Sequence, residues 1–419
     1  MGIAPPDRIK YFMPEWDDRY DLEFDFINDK FSEVHKKNTN SDVYAHEMLA
    51  RPPYDGILYS LGNIFDTINN ASDLSAVKAR GFSKIKDYYN MQKAQVPLEV
   101  FGDCGAFNYV NLPEPPARFT PENIAFLYNH LGFDYGVSVD HLVVETIIEK
   151  TQQQKETKAL TLPQKRKRIK LSLENASKHL EICKREKYAF TPVGSAQGYS
   201  PRSYRNSVAS LIEMGFEYIA LGGLVRRDTD SILAILKSVK PVVGDRRLHL
   251  LGVIRSQCIS EWRKLGVTSI DSASYFRKAW LRSDQNYISP DGSKWYAALR
   301  VPIVKESGML VKDGHTFNLA QLEADCLKAL REYDKGLLDM ESTLDLLIEY
   351  DSLFLRSGDD GTNLRDKYRK TLQDKPWKVC ECPVCKQLGI EVVIFRRTNR
   401  NKRRGLHNTW VVYQQLIDD

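Results

Sequence analysis

Short apolar segments alternate with helix-like segments through the middle of the chain, and this alternation limits the fold more than any other feature. Strand-like segments lie at 56–61, 97–102, 135–139, 188–193, 218–221, 248–253 and 267–270. Helical patterns lie between them, at 121–131, 165–187, 201–214, 228–239 and 257–265. Such alternation is typical of parallel βαβ units. With an eighth strand near 298–304, it predicts an α/β fold of the (β/α)8 TIM-type barrel class. An open doubly wound sheet is the alternative, because periodicity does not reveal closure.

The rest of the chain differs in character from this central part. A length of 419 residues allows one barrel with additions. Residues 1–55 are rich in aromatic and acidic side chains without a helical period, which predicts an irregular N-terminal arm. The barrel is then expected over 56–304. Apolar residues at helical spacing predict a helical insertion over 305–375.

Composition restricts the class of protein. Hydrophobic residues make up 42% and charged residues 27%, as in a soluble globular protein with a large core. We find no apolar run as long as a membrane span and no signal-peptide hydrophobic region at the N-terminus. The expected location is therefore the cytoplasm, with no membrane partner.

Positive charge is clustered, although the net charge is only +5. One cluster contains Lys165, Arg166, Lys167 and Arg168, and the run 396–404 ends in Arg403 and Arg404. Basic clusters on an otherwise balanced chain suit a phosphate backbone. These six residues are candidates for nucleic-acid contact; a solvated helix face is the alternative for either cluster.

A metal site is indicated near the C-terminus. Cys380, Cys382 and Cys385 crowd into six residues, and His407 follows. Three thiolates and an imidazole form a closed tetrahedral site for structural Zn²⁺. A redox CxxC pair is the alternative, but it would use neither the third cysteine nor the histidine. Residues 376–419 are therefore expected to be a zinc-binding subdomain that closes the barrel.

Carboxylates follow two of the predicted strands. Asp271 follows 267–270, and Asp103 follows 97–102. The carboxyl ends of barrel strands meet at one mouth, where catalytic residues lie. Asp271 is a candidate nucleophile or base, although an aspartate there also caps helices. Asp103 could exchange protons with a purine and Phe107 could stack on a flat ring; the alternative is a turn with Phe107 in the core.

Three further strand ends carry polar groups. They supply a carboxylate at Asp140, an amide at Gln197 and the paired glycines Gly222 and Gly223. A carboxylate, an amide and exposed backbone N–H groups are what a pocket needs to bind the edge of guanine. Each motif is weak alone, and the prediction depends on all of them facing one mouth.

Taken in order, these motifs resemble the tRNA-guanine transglycosylase superfamily. The resemblance covers about 56–304 and 378–415 and is carried by DCGAFNY, SVDH, GSAQG, GFEYIALGGL, HLLGVI and SID, then CxCxxC and LHN. It implies a (β/α) barrel with a zinc subdomain. It also implies an enzyme, a glycosyltransferase that exchanges guanine in a polynucleotide for a 7-deazaguanine base.

The resemblance implies a role for each matching residue. Asp271 would be the nucleophile that attacks the sugar C1′ and forms a covalent glycosyl-enzyme. Asp103 would handle the protons of the departing and incoming bases. Base recognition would fall to Asp140, Gln197, Gly222 and Gly223, with stacking on Phe107 and Leu251, and zinc binding to Cys380, Cys382, Cys385 and His407.

Departures from the usual family pattern indicate which branch of the family this sequence resembles. Gly105-Ala-Phe-Asn108 stands where the family usually has GGFQ or GGYQ, and the Asp271–Cys380 gap is longer than in the tRNA enzymes. With the arm YFMPEWDDRYDLEFDF, they resemble the branch that places 7-cyano-7-deazaguanine or a relative in DNA, in bacterial and phage DNA-modification systems. The implied partners are DNA, the free base and a partner ATPase.

Three other functions compete with this prediction. The first is a tRNA enzyme of the queuosine or archaeosine pathway. The second is a non-catalytic barrel subunit that binds nucleic acid, which would have no use for both Asp103 and Asp271. The third, a metal-dependent hydrolase, is disfavoured because the four predicted zinc ligands leave no open coordination position.

Overall fold

The computed structural model describes residues 8–16, 18–65, 84–150, 155–281, 284–304, 308–312, 314–354 and 363–418. The chain forms two compact units. The barrel unit comprises Met1–Asp17, Ala50–Ala273 and Leu416–Asp419; the second unit comprises Asp18–Leu49 and Ser274–Gln415. The boundaries predicted from sequence differ, because residues 274–304 and most of the N-terminal arm belong to the second unit.

Eight parallel strands close into a barrel, as predicted, and the open sheet is excluded. Around the barrel the order is β1-β10-β9-β8-β7-β4-β3-β2. A hairpin of β5 (Thr146–Lys150) and β6 (Lys155–Ala159) follows β4. The barrel strands are β1 (Lys10–Pro14), β2 (Gly56–Ser60), β3 (Glu99–Asp103), β4 (Tyr135–Val137), β7 (Thr191–Ala196), β8 (Tyr218–Leu221), β9 (Arg247–Leu250) and β10 (Ser269–Asp271).

The eighth barrel strand is β1, so the prediction of a strand at 298–304 is wrong. β1 pairs with β10 on one side and with β2 on the other, in register Phe12↔Asp271 and Phe12↔Gly56. Residues 10–14 therefore form a barrel strand and not an irregular arm. The segment Leu299–Arg300 pairs instead with Ile394–Phe395 in the second unit. Pairing partners are chosen by closure of the sheet, which local sequence does not encode.

Eight described helices have eight or more residues, and six of them begin at a side chain that caps the first turn. Thr120 accepts a hydrogen bond from the Asn123 N–H at the start of α1, and α1 ends at Gly132 in the left-handed conformation. Thr161 caps α2 in the same way. These helices are α1 (Pro121–Leu131), α2 (Leu162–Arg185), α3 (Pro201–Met214), α4 (Thr229–Val243), α5 (Leu319–Asp334), α6 (Met340–Ser352), α7 (Leu364–Asp374) and α8 (Thr398–Asp418).

Side chains from the barrel strands fill the barrel interior. Aromatic rings from β1, β3, β4 and β8 pack against one another there. The ring centroids of Phe12 and Phe101, for example, lie 5.1 Å apart. Packing of this kind makes a barrel interior a solid core rather than a pore. Polar chemistry is therefore confined to its rims and to a few buried groups. The buried cluster comprises Phe12, Leu58, Phe101, Tyr135, Val137, Val193, Tyr218 and Ala220.

The second unit is mostly helical, with short strands. Residues 305–375 contain the hairpin Met309–Lys312 and His315–Asn318 before α5, α6 and α7, so the predicted insertion is helical only from Leu319 onward. The other described strands of this unit, Tyr287–Ile288, Trp295–Tyr296, Leu299–Arg300 and Ile394–Phe395, have two residues each. Across the described residues, no helix is both long enough and apolar enough to cross a membrane.

Candidate active site and metal centre

Asp271 ends β10, and its carboxylate is bound by the neighbouring strand. The side chain is 5% exposed. Its Oδ1 accepts a hydrogen bond from the Gly252 N–H at 2.8 Å and lies 3.0 Å from His249 Nε2. These bonds run to β9 and the turn after it, whereas a helix cap would bond forward along the chain. The structure thus disfavours the alternative in which Asp271 only caps a helix.

Asp103 ends β3 and lies half-buried at the same end of the barrel. Its Oδ2 accepts hydrogen bonds from Ser60 Oγ at 2.9 Å and from the Gly105 N–H at 3.0 Å. Burial raises the pKa of Asp103 to about 7, helped by the charges of Asp140 and Asp271 and opposed by the Ser60 bond. Because Asp103 ends β3 and Asp271 ends β10, both carboxyl groups lie at the mouth where the carboxyl ends of the parallel strands meet. With a pKa of about 7, Asp103 can both donate and accept a proton at neutral pH.

Asp140 and Gln197 form one hydrogen-bonded group. Gln197 Nε2 donates to Asp140 Oδ2 at 2.5 Å, and Ser195 Oγ donates to the same oxygen at 2.6 Å. Cys104 Sγ donates to Asp140 Oδ1 at 3.2 Å. Burial raises the pKa of Asp140, against the lowering effect of these bonds. One lone pair of Oδ1 therefore remains for a ligand, while Oδ2 is satisfied by the protein.

Gly222 and Gly223 differ in whether their backbone N–H groups are available to a ligand. A Cβ at Gly222 would lie 2.1 Å from Gln197 Nε2, so a side chain there would displace the amide. The Gly222 N–H donates to Ala196 O and its carbonyl accepts from Tyr204. Within the described residues, the Gly223 N–H has no hydrogen-bond partner. Of the two predicted N–H donors, Gly223 is thus the one left for a ligand.

Phe107 lies on the surface beside Asp103. It is 60% exposed, so the alternative that places it in the core is wrong. It belongs to the 3₁₀ turn Ala106–Tyr109, which starts at Gly105 with φ +91°. A Cβ at Gly105 would lie 2.6 Å from the backbone of Gly62. Leu251 is half-buried and packs on the barrel core. Stacking of a base on Phe107 and Leu251 remains a prediction.

Sequence reasoning missed the residues that hold these groups. Ser60 binds Asp103, Ser195 binds Asp140, and His249 and Gly252 bind Asp271. A signal was present, because His249 and Gly252 flank Leu251 in the segment HLLGVI. Ser60 could not have been found in this way, since only strand pairing brings it to Asp103.

Four buried side chains in the second unit could hold a metal ion. The ligand atoms of Cys380, Cys382, Cys385 and His407 all lie within 4.8 Å of one another. His407 Nδ1 lies 3.4–3.5 Å from each of the three sulfurs. Tetrahedral bonds to sulfur and nitrogen give ligand-to-ligand distances of about 3.5 Å, so the donor set fits Zn²⁺.

The groups around this cluster also suit a metal. His407 Nε2 lies 2.8 Å from the carbonyl of Ile288, which directs the lone pair of Nδ1 toward the sulfurs. Tyr287 stacks on the His407 ring at 3.9 Å, and its hydroxyl lies 3.2 Å from Cys385 Sγ. All four ligand positions are filled by protein atoms, so such a site would cross-link the chain and would not bind substrate.

The first basic cluster is partly exposed. Arg166 and Lys167 are exposed on α2, and Lys165 and Lys167 form ion pairs with Glu145 and Glu114. Arg168 is buried and donates to the carbonyls of Leu142 and Leu112. The prediction that Arg168 contacts nucleic acid is therefore wrong. Its hydrogen bonds instead hold α2 against the segments that contain Leu112 and Leu142.

The second basic cluster is interior. Arg403 is 1% exposed and Arg404 0%. Arg404 donates to the carbonyls of Ala279, Val392 and Ile394, and burial lowers its pKa to about 9. Neither residue can contact a phosphate, so this part of the prediction is wrong. Both arginines satisfy backbone carbonyls within the second unit.

A closed barrel with three acidic side chains at one mouth, together with a Cys₃His cluster in the second unit, is the combination expected of a barrel transglycosylase. Comparison with known proteins agrees with this class. The sequence model of the family described as queuine tRNA-ribosyltransferase matches residues 109–415. The chain belongs to this family, the tRNA-guanine transglycosylases, and is a glycosyltransferase-type enzyme.

Within the family, similarity extends to a particular relative. A DNA-guanine transglycosylase from Salmonella montevideo is 36% identical over 418 residues, which cover 98% of this chain and 97% of that protein. Because the match includes the N-terminal residues that lie outside the family match, this chain groups with the DNA branch.

Proposed function

We propose that this enzyme exchanges guanine in DNA for a 7-deazaguanine base of the 7-cyano-7-deazaguanine type. The observation that carries the proposal is the presence of Asp103 and Asp271 at one barrel mouth, in different surroundings. Similarity over nearly the full length to a protein called a DNA-guanine transglycosylase supports DNA as the polynucleotide.

In the first step, Asp271 acts as the nucleophile. Its Oδ2, opposite the oxygen bound by His249 and Gly252, attacks C1′ of the target deoxyribose. The bond from C1′ to the guanine nitrogen breaks, and a covalent glycosyl-enzyme forms. The negative carboxylate stabilises positive charge on the sugar in the transition state.

Asp103 balances the protons. A group with a pKa of about 7 is protonated in half of the molecules at neutral pH. Protonated Asp103 gives its proton to the departing guanine. The resulting carboxylate then removes the N9 proton of the incoming 7-deazaguanine, whose N9 attacks C1′ and releases Asp271. The enzyme is thereby returned to its starting state.

We assign base recognition to the barrel mouth, where the base would stack on Phe107 and Leu251. The free lone pair of Asp140 Oδ1 would accept an N–H from the base edge, and the Gly223 N–H would donate to its carbonyl oxygen. Gln197 orients Asp140, because its own Oε1 already accepts from the Val143 N–H at 3.2 Å. This arrangement favours bases that, like guanine, present N–H donors beside a carbonyl acceptor on one edge.

DNA requires that the target base leave the helix, at about a few kcal/mol. Contacts with phosphates offset this cost. We assign such contacts to Arg166 and Lys167, the exposed cations at the start of α2. The Cys₃His cluster would hold Zn²⁺ as a structural cross-link and takes no part in the reaction.

Labelled 7-cyano-7-deazaguanine tests the proposal. The purified enzyme is incubated with this base and either plasmid DNA or bulk tRNA. We expect label in DNA and none in tRNA; label in tRNA alone would refute the choice of DNA and support the queuosine-type alternative. Activity without added proteins would also show that no partner ATPase is required.

An aspartate variant distinguishes catalysis from binding. Asp271→Asn should lower incorporation about 1,000-fold or more, because the amide cannot act as the nucleophile. Asp228→Asn is the matched control, since Asp228 only caps α4. Wild-type enzyme that binds DNA but incorporates no label would favour a non-catalytic binding subunit. Nucleoside mass spectrometry of DNA from cells with and without the protein provides an independent test.

A further inference from the structure

A chain of hydrogen bonds crosses the barrel interior and ends at Asp271. Tyr218 OH lies 2.5 Å from Ser269 Oγ, and Ser269 Oγ lies 2.7 Å from His249 Nδ1. On the other side of the ring, His249 Nε2 lies 3.0 Å from Asp271 Oδ1. All four residues are buried, so water does not compete for these bonds.

The order of donors in this chain follows from chemistry. A carboxylate only accepts hydrogen bonds, so Nε2 of His249 must carry the proton directed at Asp271. In the neutral imidazole, Nδ1 then accepts from the Ser269 hydroxyl, whose oxygen can accept from Tyr218. Asp271 is the charged group facing His249 directly, and the Arg247 guanidinium lies over the far side of the Tyr218 ring, 4.3 Å from its centroid. The chain therefore fixes one tautomer of the imidazole.

The His249 ring is also fixed in orientation. Its face stacks on Phe101 with centroids 4.3 Å apart and planes inclined by 20°. The edge of Phe12 meets it at 6.2 Å. A ring held between core aromatics cannot turn away from Asp271 without disturbing the barrel interior.

We propose that His249 is a positioning residue for the nucleophile. It and the Gly252 N–H bind the same oxygen, Oδ1, which leaves Oδ2 of Asp271 directed at the sugar. Gly252 can do this because its φ is +75°, and a Cβ there would lie 2.7 Å from Val225. The inference rests on the proposed function, since it assigns Asp271 the attack on C1′.

This arrangement should act on the chemical step and not on DNA affinity. His249 is buried beneath Asp271 and does not reach the substrate. A donor that holds a carboxylate in the attacking geometry lowers the barrier to C1′ attack, whereas phosphate contacts on α2 determine how tightly DNA binds. The two quantities can therefore be separated experimentally.

Two substitutions at position 249 provide the test. His249→Phe keeps an aromatic ring against Phe101 but removes the donor, and His249→Gln restores an N–H near the position of Nε2. The measurement is the single-turnover rate at which the enzyme forms a covalent adduct with plasmid DNA, trapped by denaturation, together with the Kd for DNA. We expect His249→Phe to slow adduct formation by about 10- to 100-fold with unchanged Kd. His249→Gln should recover most of the rate.

Controls separate positioning from general damage. His179→Phe changes another fully buried histidine of the barrel unit, which has no hydrogen bond to Asp271. It should retain the wild-type adduct rate, and thermal melting should show that all variants fold. Ser269→Ala should give an intermediate loss, because the ring loses the partner that fixes its tautomer.

The outcomes distinguish this inference from the proposed function. If the wild-type enzyme forms no adduct with DNA, the proposed function itself fails. If the wild type forms an adduct and folded His249→Phe forms it equally fast, only the role of His249 is overturned. The same conclusion applies if His249→Gln is as slow as His249→Phe, or if both variants weaken DNA binding in proportion to the rate.

Discussion

Asp103 and Asp271 carry the same functional group in different surroundings, and the roles that we propose for them rest on this difference. Asp103 lies near the charges of Asp140 and Asp271, so burial and repulsion raise its pKa to about 7. Asp271 instead accepts two hydrogen bonds on one oxygen. Pairs of acids with different environments are typical of sites that need one proton carrier and one nucleophile.

The raised pKa of Asp103 predicts how its removal affects stability. In the folded state, the Asp103 carboxyl keeps its proton up to about pH 7. In the unfolded state, where its pKa is near 3.8, it loses that proton at lower pH. Asp103 therefore destabilises the fold increasingly between about pH 4 and pH 7. Asp103→Asn removes this destabilising effect. The unfolding free energy of the variant minus that of wild type should therefore be about 2 to 3 kcal/mol larger at pH 8 than at pH 5.

Urea unfolding at both pH values measures this difference. Asp228→Asn is the control, because Asp228 is a fully exposed cap whose pKa is lowered by its bonds to Ser231. An Asp103→Asn effect that is equal at the two pH values would contradict the raised pKa.

Gly105 is required for two separate reasons, a φ of +91° and the close approach of Gly62. Gly105→Ala should cost about 2 kcal/mol or more of unfolding free energy. It should also lower activity, because relief of the clash with Gly62 would shift the backbone N–H that binds Asp103. Gly336→Ala is matched, with φ +76° at the end of α5 but nothing within 4 Å of its Cβ, and should cost only about 1 kcal/mol. Equal costs in thermal or urea unfolding would refute the steric part of the argument.

At the scale of elements, the metal cluster joins distant parts of the second unit. Three cysteines lie in and just before the short helix Pro383–Leu388, and His407 lies on α8. Arg400, a buried arginine of α8, adds ion pairs to Asp29 and Glu391. A metal bond between the short helix and α8 would therefore fix an element that also carries the buried charge network.

If the Cys₃His cluster holds Zn²⁺, as we propose, loss of that ion should destabilise the second unit. Cys382→Ser should abolish zinc binding and cost about 3 kcal/mol or more in unfolding free energy. Metal analysis and thermal melting with and without a chelator measure both effects. Cys326→Ser is the control, since Cys326 is buried in the same unit but bonds only to the Leu346 carbonyl. Full zinc content in Cys382→Ser would show that the cluster is not the metal site.

The two basic clusters illustrate why elements must be seen in place. Arg166 and Arg404 both lie in runs of positive charge, yet one is exposed on α2 and the other is buried under backbone carbonyls. A helix has one inward face, and a run of consecutive cations covers every face. Sequence periodicity could not decide which arginines point inward.

At the scale of the whole molecule, the barrel is closed by a strand from the start of the chain. Phe12 on β1 is fully buried and contacts the rings of Phe101, Tyr135 and His249. Without β1, the edges of β2 and β10 would be left unpaired. The N-terminal residues thus belong to the core that supports the active site.

Substitution of two phenylalanines distinguishes a residue that packs in the core from one that contacts the ligand. Phe12→Ala should lower the free energy of unfolding by about 3 to 5 kcal/mol, because it leaves a cavity in the barrel. Phe107→Ala should change it by less than about 0.5 kcal/mol, since that ring is exposed, but should weaken binding of the free base. Urea unfolding and base titration measure these effects. A large loss of stability from Phe107→Ala would contradict its assignment to the binding surface.

The sequence by itself determined the alternation of strands and helices, the polar residues at strand ends and the Cys₃His set. These features depend on local periodicity, caps and short spacing, which a chain carries wherever it folds. Only the tertiary structure decided that β1 completes the barrel, that Arg168, Arg403 and Arg404 are interior, and that His249 supports Asp271. Those facts depend on which distant segments pair and on which face of an element is covered, and no local pattern encodes either.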